Sequence, residues 1–413
     1  MSKKDETNPQ KSTFWGKLKA APGDPILSVN VDYLKDTFPK KVNLSIGAYK
    51  DENGNSYILK CVKKALDKYV KDQVDHEYLE MGGHAEFCNN AIKFAYKSDF
   101  KYLDNVASIQ SLSGTGALRI GFRFLSKFYP FKKKIFFPKP TWGNHFAIAE
   151  GAGLEIGEYR YYDPKTKGID FDGLIEDLKN MEKNSIVLFH ACAHNPTGAD
   201  LNHEQWEKIL KVIIEKEILT FFDMAYQGFA TGDADEDAFS VRLFANSGID
   251  IILAQSFSKN LGLYGERVGC LSFVTQSKDE KIAIKTNLEK IVRTEYSNPP
   301  KFGAIIVNII LSDEQLKKEW IEELNMMGTR IKDMRIALKK KLEETGTKRN
   351  WDSLVAQKGM FAYTGLTPEQ CDRLRNEFHI YMIRTGRISI PGLNPSNVEY
   401  VAKAFHEVTK DDE

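Results

Sequence analysis

The segment "IDIILAQSFSKNLGLYGERVGCLSFV" (249–274) carries the strongest structural signal in the chain, a lysine flanked by two apolar runs. Its ends, 249–256 and 268–274, are almost continuously apolar, as strands buried on both faces of a sheet are. Lys259 lies between them among serines and glycines instead of on a charged helical surface. The pattern predicts that a strand end delivers this lysine into a cleft.

Further apolar runs precede this segment and alternate with amphipathic helical patterns. The runs lie at 108–112, 134–138, 186–191 and 219–223. The pattern at 204–217 is helical, because its apolar residues recur at intervals of three and four. Buried strands that alternate with helices predict an α/β domain around a mostly parallel sheet. In such a sheet, ligands bind at the carboxyl ends of the strands.

The two ends of the chain differ from this central part. Residues 1–12 are polar and predict an arm, and the chain becomes strongly charged and helical after residue 312. A short β-like section and a closing helix follow. We interpret this C-terminal part as a second, smaller domain, joined through residues 42–54.

Composition narrows the class of protein. The net charge of +1 over 413 residues is unlike the basic excess of a nucleic-acid-binding protein, and no apolar run reaches the length of a membrane helix. The five cysteines show no CxxC spacing, which favours free thiols in a reducing compartment. Because the N-terminus has no apolar stretch and carries Asp5 and Glu6, we expect a cytoplasmic protein.

The stretch "SLSGTGALRIG" (111–121) follows a strand and opens a helix. Ser113, Gly114 and Thr115 would offer hydroxyls and backbone N–H groups at the helix N-terminus, where phosphate binds readily. Arg119 occupies the third glycine position of a dinucleotide fingerprint, so this is not that motif. An ordinary glycine turn is the alternative.

Two other strand ends carry residues that could face the same ligand. Asp223 closes the run 219–223 and is either a helix N-cap or a partner for a cationic ring nitrogen. Trp142 follows the run 134–138 in a loop, where it could pack or stack on a flat cofactor.

The stretch "HACAHNPTG" (190–198) contains a possible metal pattern. His190, Cys192 and His194 alternate, but no further carboxylate or thiol clusters with them, so we predict no metal site. Asn195 heads the turn and either reaches the cleft or serves the turn alone.

Lys259 connects these strand ends. A lysine amine is a nucleophile that forms a Schiff base with a carbonyl. Pyridoxal 5'-phosphate offers that carbonyl on a cationic ring beside a phosphate, and needs a lysine, a carboxylate, phosphate donors and a stacking ring. All four occur at strand ends, so we expect this cofactor.

The chain resembles the aspartate aminotransferases of the class I aminotransferase family. The motifs that carry the resemblance span nearly the whole chain: "DPIL", "NLSIGAY", "HEYL", "SLSGTGALRIG", "PTWGNH", "HACAHNPTG", "FFDMAYQGF", "QSFSKNLGLYGERVG", "RTEYSNPP", "GMFAYTGL" and "YMIRTGRIS". The resemblance implies the fold type I of pyridoxal-phosphate-dependent transferases. It predicts a large domain at 55–325 with a mostly parallel seven-stranded sheet, and a smaller α+β domain from 13–54 and 326–413. It also implies a homodimer with shared active sites.

The resemblance further implies a role for each candidate catalytic residue. Lys259 would bind the cofactor as a Schiff base and then carry the proton. Asp223 would pair with the ring nitrogen, with His145 behind it. Tyr226 and Asn195 would donate hydrogen bonds to the phenolic oxygen.

The same resemblance supplies the remaining contacts. Trp142 and Ala225 would cover the two ring faces. The phosphate would lie against Ser113, Gly114, Thr115, Ser256 and Arg267, with Tyr78 from the neighbouring subunit. The substrate would meet Trp142 and Asn195, with Arg387 and the Gly47 N–H on its α-carboxylate and Arg293 of the neighbour on its distal carboxylate.

The function implied is a reversible ping-pong transfer of the amino group between L-aspartate and 2-oxoglutarate, giving oxaloacetate and L-glutamate. A broad-specificity aminotransferase for aromatic and dicarboxylic substrates is the alternative among enzymes. A non-catalytic regulator on the same fold is the alternative from another class. The expected partners are small molecules and a second copy of the chain, without nucleic acid or membrane.

Overall fold

The computed structural model describes residues 14–412, so the arm predicted at 1–12 lies outside the described residues. The strands are β1 Val42–Asn43, β2 Val106–Leu112, β3 Lys134–Lys139, β4 Glu155–Arg160, β5 Tyr162–Asp163, β6 Gly168–Ile169, β7 Ile186–His190, β8 Leu219–Met224, β9 Ile251–Ser256, β10 Val268–Val274, β11 Phe361–Tyr363, β12 Ile380–Tyr381 and β13 Arg387–Ser389. The helices are α1 Pro25–Lys35, α2 Lys60–Lys71, α3 Ala85–Tyr96, α4 Ser113–Phe128, α5 Asn144–Ala152, α6 Phe171–Asn180, α7 His203–Glu215, α8 Ala234–Asp237, α9 Phe239–Asn246, α10 Lys278–Glu295, α11 Lys301–Ser312, α12 Glu314–Glu344, α13 Ser353–Ala356, α14 Pro368–Phe378 and α15 Val398–Thr409.

Seven strands form the main sheet, in the order β2-β10-β9-β8-β7-β3-β4. All neighbours are parallel except β10, which is antiparallel to both β2 and β9. The segment from β9 to β10 carries Lys259 and contains no helix. Without a crossover helix the chain returns antiparallel, because a parallel return needs a longer connection. The predicted mostly parallel, seven-stranded α/β sheet is confirmed.

The apolar runs identify six of the seven strands to within two residues, and the helix predicted at 204–217 is observed as α7. The edge strand β4, "EIGEYR", is not identified. Most of its side chains are exposed or half-buried, whereas β2, the other edge strand, is largely buried against α3, α4 and α10. Because its side chains are so exposed, β4 lacks the continuous apolar run that marks β9 and β10, whose residues are all buried.

The neighbouring strands β8 and β9 bring Asp223 and Lys259 to one edge of the sheet. Asp223 lies near the end of β8, and Lys259 follows the end of its parallel neighbour β9. Helix α4 starts directly after β2, so its N-terminus lies at the same edge, because β2 runs antiparallel to β10 and hence in the direction of β9.

The N-terminal and C-terminal segments of the chain pack together. β1 pairs in parallel with β12, and α1 contacts both strands. β11 and β13 form an antiparallel pair, and α12 packs along α15. We propose that these segments form the smaller domain, with 13–54 and 326–413 as its parts. The proposed boundary at 325/326 lies inside the continuous helix α12, which would pass from one domain to the other.

The long apolar run at 303–311 lies in α11, a helix with a largely buried face. Within residues 14–412, no helix is both long enough and apolar enough to span a membrane.

Candidate active site

A cavity of about 830 Å³ opens at the carboxyl edge of the central strands. Its walls include twelve of the predicted site residues: Gly47, Ser113, Gly114, Thr115, Trp142, Asn195, Asp223, Ala225, Tyr226, Lys259, Arg267 and Arg387. His145 and Ser256 lie just behind the wall, hydrogen-bonded to Asp223 and Ser113 respectively. The structure thus brings together residues that are up to 340 positions apart, counting from Gly47 to Arg387 (387 − 47 = 340).

One end of the cavity is a cradle of hydroxyls at the N-terminus of α4. Ser113 Oγ lies 2.8 Å from Ser256 Oγ and 2.7 Å from Ser258 Oγ. Arg267 donates through Nη1 to Ser258 Oγ at 3.3 Å, and α4 has no side-chain N-cap. Hydroxyls, a guanidinium and an uncapped helix N-terminus together favour a phosphate-sized anion.

Lys259 has an amine suited to nucleophilic attack. Burial and the nearby charge of Arg267 lower its pKa to about 8, against the opposing effect of Asp223. Its Nζ lies 5.7 Å from the ring centroid of Tyr264. A lowered pKa leaves a larger share of the amine neutral near physiological pH, and only the neutral amine attacks a carbonyl.

Asp223 ends a chain of buried hydrogen bonds. Its Oδ2 lies 3.0 Å from His145 Nε2, and His145 Nδ1 lies 2.8 Å from Thr141 Oγ1. Thr141 Oγ1 in turn lies 3.0 Å from His190 Nε2. No helix begins after Asp223 before α8 at Ala234, so its carboxylate caps no helix. This excludes the N-cap alternative for Asp223.

Hydrogen-bond directions can be assigned along this chain. The backbone N–H of Asn195 can only donate, and it donates to His190 Nδ1 at 3.4 Å. His190 Nε2 then donates to Thr141, whose own hydroxyl hydrogen can go to His145 Nδ1. That leaves His145 Nε2–H to donate to Asp223. The carboxylate is oriented from behind while it faces the cavity in front.

The buried His190 predicts a pH dependence of stability. Burial, with a further contribution from His145, lowers the pKa of His190 from 6.5 to about 3 in the folded protein. In the unfolded chain, His190 binds a proton at a higher pH than in the folded protein. The contribution of neutral His190 to the free energy of unfolding is therefore complete above about pH 6.5 and declines as the pH falls towards 3. Denaturant unfolding at several pH values should show the free energy falling by a few kcal/mol more in the wild type than in His190→Gln over that range. If the free energies of unfolding of the two proteins changed in parallel with pH, this would contradict the interpretation that His190 is buried in its neutral form.

Arg387 also lines the cavity. It donates through Nη2 to the Ser45 carbonyl at 2.7 Å and through Nη1 to Asn195 Oδ1 at 3.4 Å. Its Nε has no partner, and the guanidinium lies 4.2 Å from the Phe361 ring centroid. Burial lowers the pKa of Arg387 to about 10, which still leaves it cationic at neutral pH. A buried cation with an unpartnered donor is suited to a carboxylate ligand.

The cavity is also shaped by close packing around Gly47. A Cβ added there would lie 2.6 Å from Phe361 Cζ, so only glycine fits beneath that ring. Burial raises the pKa of Tyr226 above its ordinary value, which keeps its hydroxyl a hydrogen-bond donor. The Trp142 ring meets His145 edge-on, with centroids 5.3 Å apart.

Tyr78 and Arg293 lie outside this cavity within the single chain. Tyr78 is 89% exposed, and Arg293 donates to Ser297 Oγ at 2.5 Å. Arg293 lines a separate surface depression with Glu289 and Asn298. The prediction that both residues serve a neighbouring subunit stays a prediction.

The structure adds contacts that sequence reasoning missed. These are Thr141 and His190 in the buried chain, Ser258 in the cradle, Phe361 in the cavity wall and Tyr264 beside Lys259. Ser258 stands beside Lys259, and its hydroxyl was a visible signal. No local signal marks Phe361, because its role depends on Arg387 and Gly47 folding against it.

His190, Cys192 and His194 do not converge on one point. His190 joins the chain to Asp223, whereas His194 stacks on Tyr161 and hydrogen-bonds Thr197. Across the described residues 14–412, no group of three or more His, Cys, Asp or Glu side chains is arranged to hold a metal ion.

An amine nucleophile and an anion cradle on one edge of an α/β sheet meet the needs of pyridoxal phosphate, and so define a pyridoxal-phosphate-binding class of protein. The family model for "Aminotransferase class I and II" matches residues 39–405. The chain belongs to that family.

Relatives at full length agree with this assignment. The chain is 47% identical over 402 residues to a mitochondrial aspartate aminotransferase of Dictyostelium discoideum, covering 97% of this chain and 94% of that protein. A cytoplasmic aspartate aminotransferase of Saccharomyces cerevisiae superposes with a TM-score of 0.94 at 42% identity, covering 97% and 99% of the two chains. An aromatic-amino-acid aminotransferase of Burkholderia pseudomallei, covalently bound to pyridoxal phosphate, gives 0.93 at 41% identity, covering 96% and 100%.

Proposed function

We propose that the protein is a pyridoxal-phosphate-dependent aspartate aminotransferase, which transfers the amino group between L-aspartate and 2-oxoglutarate. The observation that carries this proposal is that Lys259 and Arg387 line one cavity. A carboxylate held by the buried guanidinium brings the α-amino group of the same amino acid towards the lysine. The aspartate aminotransferases among its relatives support this choice of substrate.

The residues present fit pyridoxal phosphate, because the cradle around Ser113, the cavity-facing Asp223 and the amine of Lys259 match its phosphate, ring nitrogen and aldehyde. When bound, the cofactor supplies a carbonyl that exchanges with the amino group and a ring that withdraws electrons from the substrate Cα. Ser113, Ser256 and Arg267 would hold the phosphate.

The catalytic and substrate-positioning work of the chain itself would then fall to four residues. Asp223, oriented by His145, would hold the proton on the ring nitrogen. Lys259 Nζ would remove the proton from the substrate Cα, which its lowered pKa permits near neutral pH. Tyr226 would donate a hydrogen bond from its hydroxyl to the phenolic oxygen of the cofactor. Arg387 would fix the substrate carboxylate so that the Cα–H bond faces Lys259.

Donor competition tests this function against its nearest alternative. We expect a higher kcat/KM for aspartate than for phenylalanine when 2-oxoglutarate is the acceptor. The reason is that the distal carboxylate of aspartate would bind a second cation, Arg293 of the neighbouring subunit. The structural similarity to an aromatic-amino-acid aminotransferase favours a broad-specificity enzyme as the second candidate. Comparable kcat/KM for both donors would select that candidate.

Arg293 connects the proposed specificity to a homodimer. In one chain it lies outside the Lys259 cavity, so it can meet the distal carboxylate only from a neighbouring subunit. We expect that mixing inactive Lys259→Ala with Arg293→Ala protein, under conditions that exchange subunits, restores dicarboxylate activity. Each hybrid has one complete site, so random exchange predicts about one quarter of the wild-type activity.

The control is each variant exchanged with itself, which should restore nothing. Hybrid formation is checked independently by native mass spectrometry of differently tagged subunits. Proven hybrids without recovered dicarboxylate activity would show that Arg293 does not serve the neighbour's site.

We propose the cytoplasm as the location. The five cysteines are buried and unpaired, as in proteins of reducing compartments. Aspartate aminotransferases from both mitochondria and cytoplasm are among the relatives. Fluorescence of a C-terminal fusion, compared with a mitochondrial dye, decides between the two compartments.

A further inference from the structure

Arg335 of α12 is a buried arginine that holds one loop. Its side chain is 3% exposed, and its guanidinium donates to the backbone carbonyls of Leu354 at 2.9 Å, Lys358 at 3.2 Å and Gly359 at 2.8 Å, and to that of Phe361. Within the described part of the chain, no carboxylate lies within ion-pair distance of it. The two terminal nitrogens of the guanidinium are therefore directed at the loop 354–361, while its Nε has no partner.

That loop packs against the turn that carries Asn195. The N–H of Lys358 donates to the carbonyl of Gly198 at 2.6 Å. Gly198 has a φ of +66°, and a Cβ added there would lie 2.7 Å from the Phe361 carbonyl oxygen. On the other side of the turn, the Asp200 carboxylate accepts from the N–H groups of Ala193 and His194. The loop and the turn thus form one packed unit behind the cavity.

Both segments end on Arg387. Phe361 covers its guanidinium at 4.2 Å, and Asn195 Oδ1 accepts from its Nη1 at 3.4 Å. Phe361 also packs on Tyr226, with ring centroids 5.9 Å apart. Any shift of the loop would therefore move two of the groups that fix the direction of the Arg387 guanidinium.

We propose that Arg335 is a positioning residue for the substrate carboxylate, because it holds the loop 354–361 and so fixes Phe361 and Asn195 against Arg387. This inference rests on the proposed aminotransferase function. Arg335 does not line the Lys259 cavity and acts only through the loop. Four carbonyls spread along the loop suit the four N–H donors on the two terminal nitrogens of a planar guanidinium, which the three donors of a lysine ammonium match incompletely.

The test separates carboxylate binding from turnover. Succinate carries two carboxylates and no amino group, so calorimetry with the loaded enzyme reports carboxylate recognition alone. For Arg335→Lys we expect a rise of about tenfold in the Kd of succinate and in the KM for aspartate. The kcat should change less than about threefold, because the loss is in binding. Arg335→Met should show a larger rise in the Kd of succinate and in the KM for aspartate, again with little change in kcat.

Arg242 provides a matched control. Its guanidinium also donates to buried backbone carbonyls, those of Phe94 and Ala95, but it does not line the cavity. Arg242→Met should reduce the free energy of unfolding and leave the succinate Kd within about twofold of the wild type. A comparable loss of affinity in Arg242→Met would overturn the inference, since general destabilisation would then explain both variants.

A double-mutant cycle tests whether Arg335 acts on Arg387 through Phe361. If Arg335 acts through Phe361, then Arg335→Lys should add little to the Kd of a Phe361→Leu protein, since coupled residues give non-additive effects. Additive effects, or an unchanged Kd in Arg335→Lys, would reject the inference. A wild-type enzyme without turnover would instead reject the proposed function, so the two failures are distinguishable.

Discussion

Lys259→Ala should abolish turnover, with a decrease in kcat of roughly five powers of ten or more. Among the described residues 14–412, Lys259 is the only lysine on the cavity wall, so the variant loses the amine that would move the Cα proton. It should still bind the cofactor, because the Ser113, Ser256, Ser258 and Arg267 cradle is untouched. Single-turnover assays measure the loss, and dialysis followed by absorbance measures the retained cofactor.

Lys167 is the matched control for Lys259. Burial lowers its pKa as well, but it lies outside the cavity and donates to the carbonyl of Asn350. Lys167→Ala should therefore keep a kcat within about threefold of the wild type. A Lys259→Ala enzyme with wild-type turnover would refute the mechanism, whatever the behaviour of the control.

Asp223→Ala should lower kcat by about two to four powers of ten, the scale of removing a key electrostatic group from an active site. The lysine remains, but the ring nitrogen loses the carboxylate that would hold its proton. We also expect the pH dependence of the bound cofactor's absorbance to change, because the charge beside the ring is gone. Steady-state kinetics and a spectrophotometric pH titration measure the two effects.

Asp250 serves as the control for Asp223. Burial raises its pKa, and it accepts a hydrogen bond from Gln276 at the opposite end of β9 from Lys259. Asp250→Ala should leave both kcat and the absorbance titration close to those of the wild type. A loss below about threefold in Asp223→Ala would show that this carboxylate is only structural, with the chain from His145 to His190 as its purpose.

Much of the architecture can be read from local sequence patterns. The residues of β9 and β10 are apolar throughout because both faces of each strand are covered, so a run of neighbours in sequence reports their burial. Lys259 is recognisable because it lies between these two apolar runs, among serines and glycines, and not on a charged helical surface. Ser113 and Asp223 follow from their places at strand ends, where a parallel sheet binds its ligands.

Other features depend on contacts between distant residues and leave no local signal. β4 is an edge strand whose exposed side chains hide its role, and Thr141 reaches His190 across 49 positions. Arg387 takes its place from the Ser45 carbonyl, 342 residues earlier in the chain. The Arg335 contact with Phe361 and the exclusion of Arg293 from the cavity belong to the same group.

The division has a physical reason. Secondary structure and the chemistry of strand ends follow from the periodicity of burial, which neighbouring residues share and a single chain segment displays. Remote segments supply the carbonyl that binds the Arg387 guanidinium and the histidine that binds the Asp223 carboxylate. They also supply the burial and the charge that lower the pKa of Lys259. Sequence patterns therefore identify the fold and predict Lys259 as the nucleophile. Only the packed structure decides the electrostatics of the site, because these interactions act through space and not along the chain.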